Sequence, residues 1–200
     1  MSMLDRDSDR LPPALKRIAG AFRLFGWISF WSQGILAIVS TLVLVFSSAV
    51  IGLQNTTQQG GARDNPGAGA GLFLAILGLV GLYIGAYWAF RYTRLSRRLR
   101  ALDGRDRPKP GNVVQTLRLG LLVNLVGMLL TLLGGEALIG ALVAKALSQP
   151  QGNAAFFESI TQAIQPLDIW VIQANINIAL AHFIGICISL WLVQVMGRHQ

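Results

Sequence analysis

His182, Glu136, Asn175, Asn177, Gln173 and Asn124 carry the groups in this chain best suited to bind or relay something, and each interrupts a run of apolar residues. Imidazole and carboxylate suit first-row divalent metals, and the thiol of Cys187 would add a softer ligand, although the set specifies no particular metal. Asn175, His182 and Ser189 are spaced by seven and fall on one stripe of a helix. Gln173 and Asn177 are spaced by four and lie on roughly the opposite face. Two readings are open. The six side chains could line a path for a substrate or cation, with His182 at its centre and Glu136 at its outer mouth. They could instead be the hydrogen bonds that hold apolar helices together. The chain has no phosphate loop, metalloprotease helix, Cys-x-x-Cys pair or nucleophile elbow, so no enzyme activity and no cofactor are expected.

The elements that position these residues follow from charge spacing. No charged residue occurs between Arg23 and Arg63, Asp64 and Arg91, Arg118 and Glu136, or Asp168 and Arg198. About 20 apolar residues of helix cross a hydrocarbon core ~30 Å thick. The expected fold is therefore an all-α integral membrane protein with four transmembrane helices, at about 27–52, 72–90, 119–139 and 169–196. The 200 residues are 53% hydrophobic and 13% charged, and form a single membrane domain, 1–200. One cysteine excludes an internal disulfide.

Residues 11–25 read as an additional amphipathic interfacial helix. Leu15, Ile18, Phe22 and Phe25 share one face, while Lys16, Arg17 and Arg23 point away from it. The alternative is that the same face packs against the bundle. Phe156, Phe157, Ile160 and Ile164 give a second, outer amphipathic segment at 154–165. The third apolar stretch is interrupted by Gly134-Gly135-Glu136, which fits either one long tilted helix or a span that ends there and continues as an extension. The first apolar run is too long and begins too late for a cleaved signal, and Asp5, Asp7 and Asp9 do not suit a transit peptide.

Five of the 17 Lys and Arg residues precede the first span, nine lie in the middle connection and one follows the last span. The positive-inside rule then puts both termini and the middle connection on the cytoplasmic or stromal side. The net charge of +8 is assigned to lipid contact, with Lys16, Arg17, Arg23, Arg94, Arg97 and Arg98 facing anionic headgroups, and no nucleic-acid partner is expected. Counted at 1.5 Å per residue, His182 falls near the midplane. Asn175 and Gln173 fall in the outer third, level with Glu136, which is placed to accept hydrogen bonds from them. Gly78, Gly81, Gly85 and Ala89 form a small-residue face for close helix approach, either within the monomer or towards a homo-oligomer or another membrane protein.

Several runs also carry a family resemblance: Leu11-Pro12-Pro13-Ala14-Leu15-Lys16-Arg17-Ile18 leading to Phe25-Gly26-Trp27, Tyr87-Trp88-Ala89-Phe90-Arg91-Tyr92-Thr93-Arg94, Val123-Asn124-Leu125-Val126-Gly127-Met128, Ala144-Lys145-Ala146-Leu147-Ser148-Gln149-Pro150 and Gln165-Pro166-Leu167-Asp168. Together these resemble the cyanobacterial relatives of a chloroplast inner-envelope protein, described both as the permease-in-chloroplasts and as a component of the Tic import apparatus. The resemblance implies four membrane helices. It implies residence in a cyanobacterial plasma or thylakoid membrane, or the chloroplast inner envelope. It also implies one of two roles, transport of iron or another divalent metal, or assistance in protein import, and carries over no ligand residues.

Overall fold

The computed structural model describes residues 13–57, 66–100, 108, 110–147 and 166–197. These form four helices and, among the described residues, no strand: α1 Pro13–Thr57, α2 Pro66–Leu99, α3 Pro110–Leu147 and α4 Pro166–Gly197. Every one begins on a proline. At the first helical position the missing N–H costs nothing and the fixed φ favours the helix. Each helix is long and apolar enough to cross a membrane. Each also extends beyond its expected span, because hydrocarbon thickness limits hydropathy and not helicity. Arg91–Leu99 consists largely of strong helix formers and continues α2 past the apolar stretch.

Packing alternates in direction around a ring. Each helix packs against its two sequence neighbours in the cycle α1–α2–α3–α4–α1, with a smaller diagonal contact between α2 and α4. Two apolar clusters show which ends meet. At the basic end, Ile18 and Phe22 of α1 pack with Tyr92 and Leu99 of α2, Leu117 of α3 and Leu192 of α4. At the other end, Ala37 and Leu44 pack with Ala75, Leu79 and Leu82, with Leu138, and with Val171, Ala174 and Ile178. Leu42, Phe73, Leu129 and Phe183 are exposed, on faces directed at lipid.

Buried positions recur every seven residues on all four helices. They are Gly26, Gln33, Ser40 and Ser47 on α1; Gly71, Gly78, Gly85 and Tyr92 on α2; Gly120, Gly127 and Gly134 on α3; and Asn175, His182, Ser189 and Met196 on α4. A strict heptad seam keeps one face towards the bundle axis along the full length. Since lipid tails are as apolar as Leu, close backbone approach and interhelical hydrogen bonds must hold such a bundle together. The seam is accordingly small or polar, except at Met196.

The N-terminal amphipathic helix is present from Pro13, but it is the first part of α1 and not a separate element. Ile18 and Phe22 are buried in the basic-end cluster, so its apolar face packs against the bundle instead of resting on the bilayer. α3 is one continuous helix through residues 134–136, as both readings of the third apolar stretch allow. The outer segment at 154–165 lies outside the described residues.

Candidate functional site

Between the two apolar clusters lies a polar layer to which every helix contributes. Gln33 of α1 and His182 of α4 are fully buried, and Asn124 of α3 is 2% exposed. The Gln33 amide nitrogen donates to Asn124 Oδ1 at 3.3 Å. His182 Nδ1 lies 3.1 Å from the same Asn124 oxygen, and His182 Nε2 lies 3.1 Å from the backbone carbonyl of Gly78 on α2. Asn124 Nδ2 donates to Gly120 O at 2.9 Å, back along its own helix. One imidazole thus ties α4 to both α2 and α3, and one amide adds α1.

This centre is rich in acceptors. A neutral imidazole donates from only one nitrogen, yet both of these face oxygens. Turning the Asn124 amide would let Nδ1 accept, but would take Nδ2 away from Gly120 O. Gln33 Oε1 is buried with no hydrogen-bond partner.

Glycine makes the room. A Cβ at Gly127 would overlap the His182 ring, with Nδ1 at 3.0 Å and both Cε1 and Nε2 closer. A Cβ at Gly185 would run into Gln33 Nε2 and come within 2.6 Å of Asn124 Oδ1. At Gly85 it would lie 2.9 Å from Asn124 Oδ1 and 3.1 Å from Gln33 Oε1. Further bonds repeat the pattern above and below. Ser40 Oγ donates to Ala174 O at 3.1 Å, Asn175 Nδ2 to Thr131 O at 3.0 Å, and Ser96 Oγ to Ala19 O at 2.7 Å. Tyr92 OH meets Ser189 Oγ at 3.3 Å across the α2–α4 diagonal.

The expected path residues therefore separate into two groups. His182 and Asn124 meet directly. Asn175 is buried, but its donor goes to Thr131 O and not to Glu136. Glu136 is exposed. The residue before it, Gly135, is the one that faces α4, where a Cβ would lie 2.6 Å from Asn175 Nδ2. One helical step of about 100° then turns Glu136 outward. Gln173 donates to Asn177 at 3.2 Å on an exposed face, and that pair does not join the centre. Cys187 is exposed as well. Among the described residues, no three His, Cys, Asp or Glu side chains gather as a metal site would require.

The small-residue face of α2 is directed inward. A Cβ at Gly78 would collide with Thr131 Oγ1, one at Gly81 would lie 3.3 Å from Gly127 Cα, and Ala89 is buried. Lys16, Arg17, Arg23, Arg94, Arg97 and Arg98 are exposed at the basic end, with Arg94 lying 4.8 Å over the Phe90 ring. At the opposite end Lys145 pairs with Asp168 at 2.8 Å. Gln33 and the glycines at 120, 127 and 185 are the contributors not singled out as site residues. Seven-residue spacing is the signal that marks Gln33, Gly120 and Gly127, whereas Gly185 lies three residues after His182, off that stripe.

Four apolar helices closed around a hydrogen-bonded Gln–Asn–His layer define an integral membrane helix bundle. Residues 12–197 match the family model described as protein of unknown function (DUF3611), and the chain belongs to that family. It is also similar to the Arabidopsis thaliana "Protein TIC 21, chloroplastic", with 34% identity over 196 residues, 94% of this chain. The chain spans 62% of that protein's length. No solved structure matches.

Proposed function

We propose that this protein is an assembly or translocation-associated membrane scaffold, which acts through helix contacts with other membrane proteins and carries out no catalytic step. The observation that carries the reading is the burial of Gln33, Asn124 and His182, whose side chains bond to one another and to backbone across all four helices. Such a centre fixes the arrangement of the bundle and leaves its outer faces for partners. Exposed aromatic residues on those faces include Trp27 and Trp31, whose rings stack with centroids 6.1 Å apart. The similarity to a protein named for the Tic apparatus is consistent with this role. The charge distribution supports an orientation with the basic end towards the cytoplasm or stroma.

A second reading, transport of iron or another divalent metal, has one observation behind it. The unpartnered Gln33 Oε1, together with Asn124 Oδ1 and Gly78 O, leaves the midplane with more acceptors than donors. A cation would reach these oxygens only if the glycine-lined seams opened. Uptake of Fe²⁺ by vesicles reconstituted with the full chain separates the two. The scaffold reading expects uptake equal to that of empty vesicles, and a native complex containing a second membrane protein. Uptake above empty vesicles that is lost on His182→Ala, with the variant still folded, would overturn it.

A further inference from the structure

At the basic end α1 and α2 enclose a pocket of about 220 Å³ lined by Arg23, Trp27, Thr93, Ser96, Arg97 and Arg100. The spacing explains why these residues converge. Arg23 and Trp27 are one turn apart on α1, while Thr93 and Arg97 share one face of α2 and Arg100 is the turn residue just past its end, its N–H donating to Arg97 O at 3.2 Å. Its sides are fixed by two close approaches. Ser96 Oγ donates to Ala19 O at 2.7 Å, and a Cβ at Gly26 would lie 3.0 Å from Thr93 Cγ2. Room for about seven waters at ~30 Å³ each is ample for a phosphate group.

The electrostatics select an anion. Three arginines line the pocket, and no described carboxylate is among its lining residues. The C-terminal end of α2 opposes an anion with only about half a unit of negative charge, which three full positive charges exceed. Guanidinium forks bind phosphate oxygens in pairs, whereas an ammonium acts as a point charge. Trp27 is 38% exposed at the rim, on a helix that enters the apolar layer immediately beyond it. Indole rings settle at headgroup depth, which sets the pocket where lipid phosphates lie.

We infer that Arg23, Arg97 and Arg100 form a specific site for the phosphate of an anionic phospholipid, distinct from the diffuse attraction of the remaining basic surface. The test uses the purified full chain in detergent. Apparent affinities for short-chain phosphatidylglycerol, short-chain phosphatidylcholine and inorganic phosphate are read from the ligand-induced rise in Tm. Phosphatidylglycerol should bind about tenfold more tightly than phosphatidylcholine, and Arg97→Gln/Arg100→Gln should remove about that factor. The charge-matched Arg94→Gln/Arg98→Gln, outside the pocket, should change affinity by less than about threefold. Arg23→Gln on the other helix provides a second, independent loss should the α2 double variant fail to fold. Equal losses in the two double variants would reduce the site to a diffuse field. Equal affinity for the two lipids, or displacement of phosphatidylglycerol by inorganic phosphate at matched concentration, would also overturn the assignment.

Discussion

Replacing Gly127 with alanine adds one methyl group at the most crowded point of the polar layer. The new Cβ would overlap Cε1 and Nε2 of His182 and lie 3.0 Å from its Nδ1, so the imidazole must leave its place. Moving it breaks the contacts with Asn124 Oδ1 and Gly78 O. Interhelical hydrogen bonds in membranes average about 0.6 kcal/mol, with a maximum near 1.7. Overpacking a tight core adds about 1–3 kcal/mol. The expected loss is therefore about 2–5 kcal/mol, against a gain of about 0.5–1 kcal/mol when Gly in an exposed helix becomes Ala. Gly140→Ala is the reference, since nothing lies within 4 Å of a Cβ there. Reversible unfolding in mixed detergent micelles would measure both. His182→Ala removes the group that the methyl meets, so the double variant should be more stable than the sum of the single losses implies, by at least about 1 kcal/mol. Additive losses, or a Gly127→Ala variant as stable as Gly140→Ala, would refute the packing described for this layer.

Three other substitutions follow from the same geometry. Asn124→Leu should destabilise more than Gln33→Leu in the same assay, by about 1–3 kcal/mol, because Asn124 serves Gln33, His182 and Gly120 while Gln33 bonds only Asn124. Glu136→Gln should leave stability within about 0.5 kcal/mol of the parent, since the side chain is exposed. Lys145→Ala should cost less than about 1 kcal/mol in a salt-dependent way, because both partners of its ion pair with Asp168 are more than a quarter exposed.

Charge spacing and apolar length revealed the four spans before any geometry, because hydrocarbon imposes a length that composition records. Helix ends were less legible. Arg91–Leu99 is polar yet continues α2, since helix formation does not stop where the lipid does. The stripe of Asn175, His182 and Ser189 was legible from its spacing, and all three are buried. Its partners were not. Depth alone placed Glu136 level with Asn175, but rotation about the helix axis decides contact, and Gly135 occupies the facing position. The seven-residue spacing of Gly120 and Gly127 is legible, but what these glycines make room for is not. Their role depends on which side chain lies opposite, a property of the pair that neither helix carries alone.

The central claim is that the polar layer is closed to water within the bundle. Thiol accessibility tests it most directly, in a Cys187→Ser background that removes the chain's single cysteine. Ser40→Cys and Ser189→Cys are near-isosteric changes at positions 0% and 1% exposed, and Gly111→Cys marks an exposed site at the basic end. In native membrane vesicles a charged methanethiosulfonate reagent should modify Cys at 111 rapidly and leave the two buried sites unmodified. Modification at position 40 or 189 at a rate comparable to that at 111, by a reagent that cannot enter hydrocarbon, would show a water-filled passage through the bundle and contradict the account.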